Sequence, residues 1–171
     1  SELLETSFET WNKCLTVNLA GAFLCGRETA RHMIRQGTGG KIVNISSRAG
    51  KVGLPELGAY SASKFGIVGL TQVMAVEWAR YKINVNAICR GAIAESYSDR
   101  RPLEASTPEE SIRLSEKMMS IRKERLAGIP LGRLATHEDL ANLVCFLASD
   151  QSDFITGESV DLTGGHTFTQ K

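Results

Sequence analysis

Gly40-Lys41-Ile42-Val43-Asn44-Ile45-Ser46-Ser47-Arg48-Ala49-Gly50, followed after a loop by Ala59-Tyr60-Ser61-Ala62-Ser63-Lys64-Phe65-Gly66, is the stretch that decides the fold of this chain. Lys41 to Ser46 is a nearly continuous β-branched run, the pattern of a strand covered on both faces by helices. From about Ala59 to Tyr81 the pattern turns helical: Ile67, Leu70, Val73 and Met74 supply apolar bulk, and Ala62, Gly66 and Gly69 offer small contact positions. A second strand, Asn84 to Cys89, comes next. Strand, helix, strand in this order implies a parallel sheet with right-handed crossovers.

The surrounding segments extend the alternation. Thr6-Ser7-Phe8-Glu9 has a capping-box pattern opening a long helix to about Gln36, with Trp11, Leu15, Leu19, Ala22, Gly26, Ala30 and Met33 at helical spacing. Gly37-Thr38-Gly39-Gly40 follows that helix and enters a strand, so it reads as a helix C-cap and turn and not as a phosphate loop. Gly91 to Ser106 is polar and irregular, and Thr107-Pro108-Glu109-Glu110 supplies a cap, a first-turn proline and an acidic third position for a further helix. Thr136-His137-Glu138-Asp139 starts another helix through about Ala148, and Glu158 to Leu162 reads as a last strand before Gly164-Gly165. There is no internal repeat or linker, so residues 1–171 read as a single domain.

Composition narrows the function classes. The chain is 42% hydrophobic and 23% charged with a net charge of +1, which gives no electrostatic case for nucleic acid or an anionic membrane. Nothing approaches the ~18 consecutive apolar residues of a spanning helix. Cys14, Cys25, Cys89 and Cys145 sit singly in apolar periodic segments, and His32, His137 and His166 are scattered. Buried thiols in a reducing, cytoplasmic setting are expected, and no metal site.

Chemistry concentrates around Tyr60. A phenol, titrating near pH ~10 unperturbed, exchanges protons at neutral pH only beside a cation that stabilises its phenolate. Lys64, one helical turn on, shares its face, and a serine ending the preceding strand can hydrogen-bond an oxygen being protonated. Asn18 lies on the apolar stripe of the first helix, where an unsatisfied amide costs about 1–3 kcal/mol, so it needs a partner such as an internal carbonyl or a buried water.

In this order and spacing, Asn18 in Val17-Asn18-Leu19, Ser47, Tyr60-Ser61-Ala62-Ser63-Lys64, Asn84-Val85-Asn86-Ala87-Ile88 and Ile155-Thr156-Gly157-Glu158 closely resemble the short-chain dehydrogenase/reductase family, essentially from end to end. The resemblance implies a partial Rossmann-like, doubly wound α/β sheet, because the family's glycine-rich turn and first nucleotide-binding half have no counterpart here. It implies hydride transfer between NAD or NADP and an alcohol or carbonyl compound, with Tyr60 as proton donor and acceptor and Lys64 stabilising its phenolate and holding the nicotinamide ribose. Ser47 would orient the substrate oxygen, and Asn18 would hold a relay water. Ser47 is chosen over Ser46 because successive strand residues face opposite ways and only Ser47 has the family's spacing to Tyr60.

The resemblance further implies that Gly91 and Ile93 contact the cofactor, that about 91–128 is a substrate lid, and that the helices over Phe8–Gln36 and Ala59–Tyr81 form a homodimer or homotetramer interface. Within the lid, Arg100, Arg101, Arg122, Lys123 and Arg125 intermingle with Asp99, Glu104, Glu109, Glu110, Glu116 and Glu124, the pattern of a solvated mixed-charge surface. Polyols, sugars, steroids and acyl thioesters all remain open as substrates. Two departures from the family pattern concern the cofactor side. Arg90-Gly91 stands where the family usually has Pro-Gly, and Glu95 stands at a common Thr, with Ser96 next to it. The alternative to an enzyme is a truncated, non-catalytic chain acting through subunit contacts, its open sheet edge calling for a partner.

Overall fold

The computed structural model describes residues 1–94, 107, 112–113, 123 and 126–168. The expected helix start at Thr107-Pro108-Glu109-Glu110, the lid charges and the Glu95 and Ser96 positions lie wholly or mostly outside them. The described strands, β1 (Gly40–Ser47), β2 (Ile83–Arg90) and β3 (Ser159–Leu162), form a parallel sheet in the order β1-β2-β3. Among the described residues no strand pairs with the outer edge of β1. Of the described helices, none is long and apolar enough to cross a membrane.

The N-terminal helical segment differs from the expectation of one unbroken helix. It runs as α1 (Phe8–Leu15), a π-helical turn (Thr16–Ala20) and α2 (Gly21–Gln36), with Asn18 in the middle of the π turn. The start differs too: Ser7 caps α1 through the Thr10 amide at 3.1 Å, so Ser7 and not Thr6 is the N-cap and Glu9 has no capping-box role. Gly37 ends α2 in the left-handed region, as the glycine cluster implied. Gly39 is also left-handed, and a Cβ there would meet the Lys82 carbonyl oxygen at 2.4 Å, so this turn into β1 accepts only glycine.

Helix α3 (Gly58–Trp78) packs on one face of β1 and β2, and Ala30 of α2 joins Met74, Ala75, Ile83 and Val85 in the core. Close approach of α2 and the π turn to α3 depends on small residues: a Cβ on Gly26 of α2 would meet Met74, and one on Gly66 would meet Leu19 of the π turn. Gly69, read as a third contact position, instead faces open space. Helix α4 (His137–Ala148) begins with a complete capping box, Thr136 accepting from the Asp139 amide and Asp139 accepting from the Thr136 amide. Arg133 pairs with the same carboxylate at 2.6 Å, and that pairing holds the Asp139 carboxyl well below the usual carboxylate range.

Two asparagines fasten β3 to β2. Asn86 is fully buried, donating to the Ile155 carbonyl at 2.8 Å and accepting from the Glu158 amide at 3.0 Å, while Asn84 donates to the carbonyls of Asp153 and Ile155. The Asn84-Val85-Asn86 motif thereby fixes the path of residues 153–158, and Thr156 completes the clamp by accepting from the Val85 amide.

Candidate active site

The site sits at the C-terminal ends of the strands, the end at which open α/β sheets bind ligands. Register places Ser46 beside Cys89 and Asp161, and Ser47 beside Arg90 and Leu162. Successive residues of a strand face opposite ways, so these are two different faces of the sheet. Ser46 faces α3: its buried hydroxyl donates to the Lys64 carbonyl at 2.9 Å, and two residues back Asn44 donates to Thr71 Oγ1 at 2.9 Å. Both links tie β1 to α3 at a fixed height.

Gly50 is what permits this fit. A Cβ on Gly50 would lie 2.5 Å from Ser46 Oγ and 2.6 Å from the Lys64 carbonyl oxygen. The chain therefore turns tightly after Ser47, through a short 3-10 segment at Arg48–Gly50, against the backbone that carries Lys64. Ser47 Oγ caps that segment, accepting from the Ala49 amide at 3.1 Å. Its hydroxyl hydrogen is committed to no group among the described residues, whereas that of Ser46 is spent on Lys64. No hydrogen bond joins Ser47 to Tyr60 or Lys64 in the described residues.

Tyr60 and Lys64 do meet. They share a face of α3, and the Lys64 ammonium lies 5.6 Å from the centroid of the Tyr60 ring. Lys64 Nζ also donates to the Ile45 carbonyl at 3.0 Å. Burial pushes the pKa of Lys64 below the usual lysine value, and the nearby positive charge of Arg90 pushes it the same way. Both causes disfavour a bare ammonium there.

Asn18 is held close to the same helix turn. Its Nδ2 donates to Ser63 Oγ at 3.0 Å, and the fully buried Ser63 hydroxyl donates in turn to the Tyr60 carbonyl at 2.7 Å. The amide's partner is thus a side-chain hydroxyl, and Ser63 becomes the joint between Asn18 and Tyr60. Sequence reading missed that role: Ser63 was only the residue before Lys64, and its burial depends on how α1 and the π turn cross α3. A π turn inside an α-helix is a frequent marker of functional positions.

Beyond β2, Gly91 donates to the Leu162 carbonyl at 2.9 Å and Ile93 forms an isolated parallel bridge with Ala135. The bridge is made by the Ala94 amide to the Ala135 carbonyl and the Ala135 amide to the Ala92 carbonyl. The amide and carbonyl of Ile93 itself point away from Ala135 and bond to none of the described residues, although the residue is 8% exposed. A buried donor and acceptor side by side, neither taken by a described residue, suit a primary carboxamide such as that of nicotinamide. Among the described residues, however, no glycine-rich turn opens a helix to hold a pyrophosphate.

Comparison with known proteins supplies the wider setting. Residues 1–167 match the family model described as Enoyl-(Acyl carrier protein) reductase. A short-chain dehydrogenase/reductase of Armillaria gallica is 38% identical over 164 residues, which cover 96% of this chain and 59% of that relative. A crystal structure of gluconate 5-dehydrogenase from Burkholderia cenocepacia J2315, in complex with NADP and tartrate, superposes with a TM-score of 0.83 at 29% identity, covering 99% of this chain and 61% of that one. A 4-hydroxyisoleucine dehydrogenase complexed with NADH gives the same TM-score, 0.83, at 29% identity and covers 99% of this chain and 64% of its own. The chain therefore spans about 59% of the length of the curated relative.

Proposed function

The chain belongs to the short-chain dehydrogenase/reductase family, and from that premise we propose that it carries the catalytic side of an NAD- or NADP-dependent oxidoreductase interconverting an alcohol and a carbonyl. The observation that carries this reading is the Asn18–Ser63–Tyr60–Lys64 arrangement, in which two helices and the end of β1 fix a phenol beside a half-buried ammonium. Tyr60 Oη gives its proton to the carbonyl oxygen in reduction and takes it back in oxidation. Lys64 stabilises the phenolate left behind, Ser47 donates its free hydroxyl hydrogen to the substrate oxygen, and Asn18 holds the water that returns a proton from solvent. The nicotinamide, when bound, accepts or supplies the hydride. The backbone groups of Ile93, which no described residue takes, and the cation of Lys64 support its placement here.

The substrate is a small alcohol or carbonyl compound. Exposed apolar residues on α2 and α3, including Phe23, Leu24, Val73 and Val76, support assembly as a homodimer or homotetramer through these helices. Against the expectation of buried thiols, only Cys89 is buried, Cys14 is partly so and Cys25 and Cys145 are exposed; that all four are unpaired supports a reducing, cytoplasmic setting.

A second reading, a non-catalytic chain acting through subunit contacts, is favoured by one observation: Lys64 Nζ donates to the Ile45 carbonyl of its own chain at 3.0 Å. Tyr60→Phe distinguishes the two. It keeps the ring and removes the proton, so turnover by the protein that carries this chain falls by roughly 10²–10⁴-fold while cofactor binding persists. Steady-state kinetics with cofactor titration checks it, and near-normal turnover sinks the catalytic reading.

A further inference from the structure

Arg90 is the residue that the proposed chemistry leaves unused. It ends β2 directly in register with Ser47, and parallel register partners project from the same face of the sheet. Adjacent strands lie about 4.8 Å apart, so the base of the Arg90 side chain stands one strand spacing from the hydroxyl that would hold the substrate oxygen. The guanidinium is steadied by a bond from Nη1 to the Gly91 carbonyl at 3.2 Å, on the residue next to it. That bond takes one of its five N–H donors.

Among the described residues no carboxylate answers its charge. The ion pairs among the described residues engage Arg27, Arg31, Lys41 and Arg133, and Arg90 has none. Asp161, the nearest acidic residue in the sheet register, is paired with Cys89 and projects from the opposite face. A second cation lies within reach of its charge: Arg90 disfavours the ammonium of Lys64. Like charges gathered at a half-buried strand end disfavour one another until an anion joins them. A guanidinium fork presents two parallel N–H donors that match the two oxygens of a carboxylate or phosphate, which an ammonium does not.

We infer that Arg90 is a specificity-determining residue, its guanidinium taking a carboxylate or phosphate group that the substrate carries close to its reacting carbonyl. The inference rests on the redox reading above for the identity of the reacting group, but the anion contact is measurable without turnover. At the position where the family usually has a proline with no side-chain charge and no amide donor, this chain spends a cation on selecting anionic substrates.

The test uses two probes that share a β-keto group, one with a free carboxylate and one with that carboxylate esterified, acetoacetate and ethyl acetoacetate, with the protein that carries this chain. Calorimetric titration reads binding, and NADH or NADPH oxidation reads turnover. Acetoacetate binds about tenfold or more tightly than its ester. In Arg90→Gln the ratio collapses toward one, and in Arg90→Lys, which restores charge without the fork, it recovers in part. Circular dichroism verifies that each variant is folded. Failure of acetoacetate to bind, or an unchanged ratio in Arg90→Gln, overturns the inference. So does an effect of Arg90→Gln confined to cofactor affinity, which would assign the guanidinium to a cofactor phosphate. Anion preference through Arg90 without turnover of either probe upholds the anion contact and counts against the redox reading; turnover of both without preference overturns the anion contact and upholds the redox reading.

Discussion

Asp161 carries an internal conflict. Its Oδ1 is buried and has no hydrogen-bond partner among the described residues, and burial raises its pKa above the usual carboxylate value, with Lys51 only partly opposing. A group whose folded pKa is raised favours the fold most below its unfolded pKa and loses that contribution as pH rises through the folded value. At neutral pH the charged carboxylate is therefore a cost. Asp161→Val, β-branched on a strand, stabilises the protein by on the order of 1 kcal/mol near pH ~7, and the gain shrinks as pH falls into the carboxylate range. Urea unfolding midpoints at the two pH values check the sign. Nothing in Ser159-Val160-Asp161-Leu162 announces this, because a short strand reads the same whether or not its acid finds a partner. The Tyr60 and Lys64 pair is the opposite case: helical spacing alone places them together, whereas Ser63 as the partner of Asn18 depends on a crossing of helices that spacing does not encode.

At the scale of elements, boundaries and periodicity were readable where local physics decides them. β1, α3, β2 and α4 lie where β-branched runs, apolar spacing and caps put them. The π turn was not, since one extra residue in a helix leaves both flanking stripes intact and only shifts their phase. That property supplies a test. Val17 is exposed within the turn, and deleting it lets α1 run into α2 as a regular helix with each flank keeping its face. Far-UV helicity persists in this variant, while Asn18 is re-aimed away from Ser63 and turnover falls by roughly 10-fold or more, the scale on which misplaced groups slow catalysis. Helicity and activity lost together would make the turn a folding requirement instead.

Among the described residues, a well-packed sheet centre stands beside an outer β1 edge that no strand covers. Parallel α/β architecture follows from the order of strands and helices, but the site is split between groups this chain supplies and contacts that none of its described residues provides. The 171-residue chain alone accordingly does not bind NADH or NADPH with useful affinity, because the ribose and carboxamide contacts act without a phosphate-binding turn. Nicotinamide fluorescence during titration tests this, and saturable low-micromolar binding contradicts it.

The outer edge of β1 also bears on Lys64. The Gly40 amide bonds to the Lys82 carbonyl, so Gly40, Ile42, Asn44 and Ser46 direct their amides toward β2, and the alternating Lys41, Val43 and Ile45 direct theirs outward. The carbonyl that engages Lys64 is one of the outward ones. In the chain by itself, deuterium enters the amides of Val43 and Ile45 quickly while those of Ile42 and Asn44 resist, a two-residue rhythm along a single strand. Any strand laid against that edge protects the fast positions and at the same moment competes for the Ile45 carbonyl, releasing the lysine amine. Residue-resolved hydrogen exchange, read beside the Lys64 side-chain NMR signal, follows both events at once: sheet completion and arming of the lysine become one equilibrium, seen from its two ends.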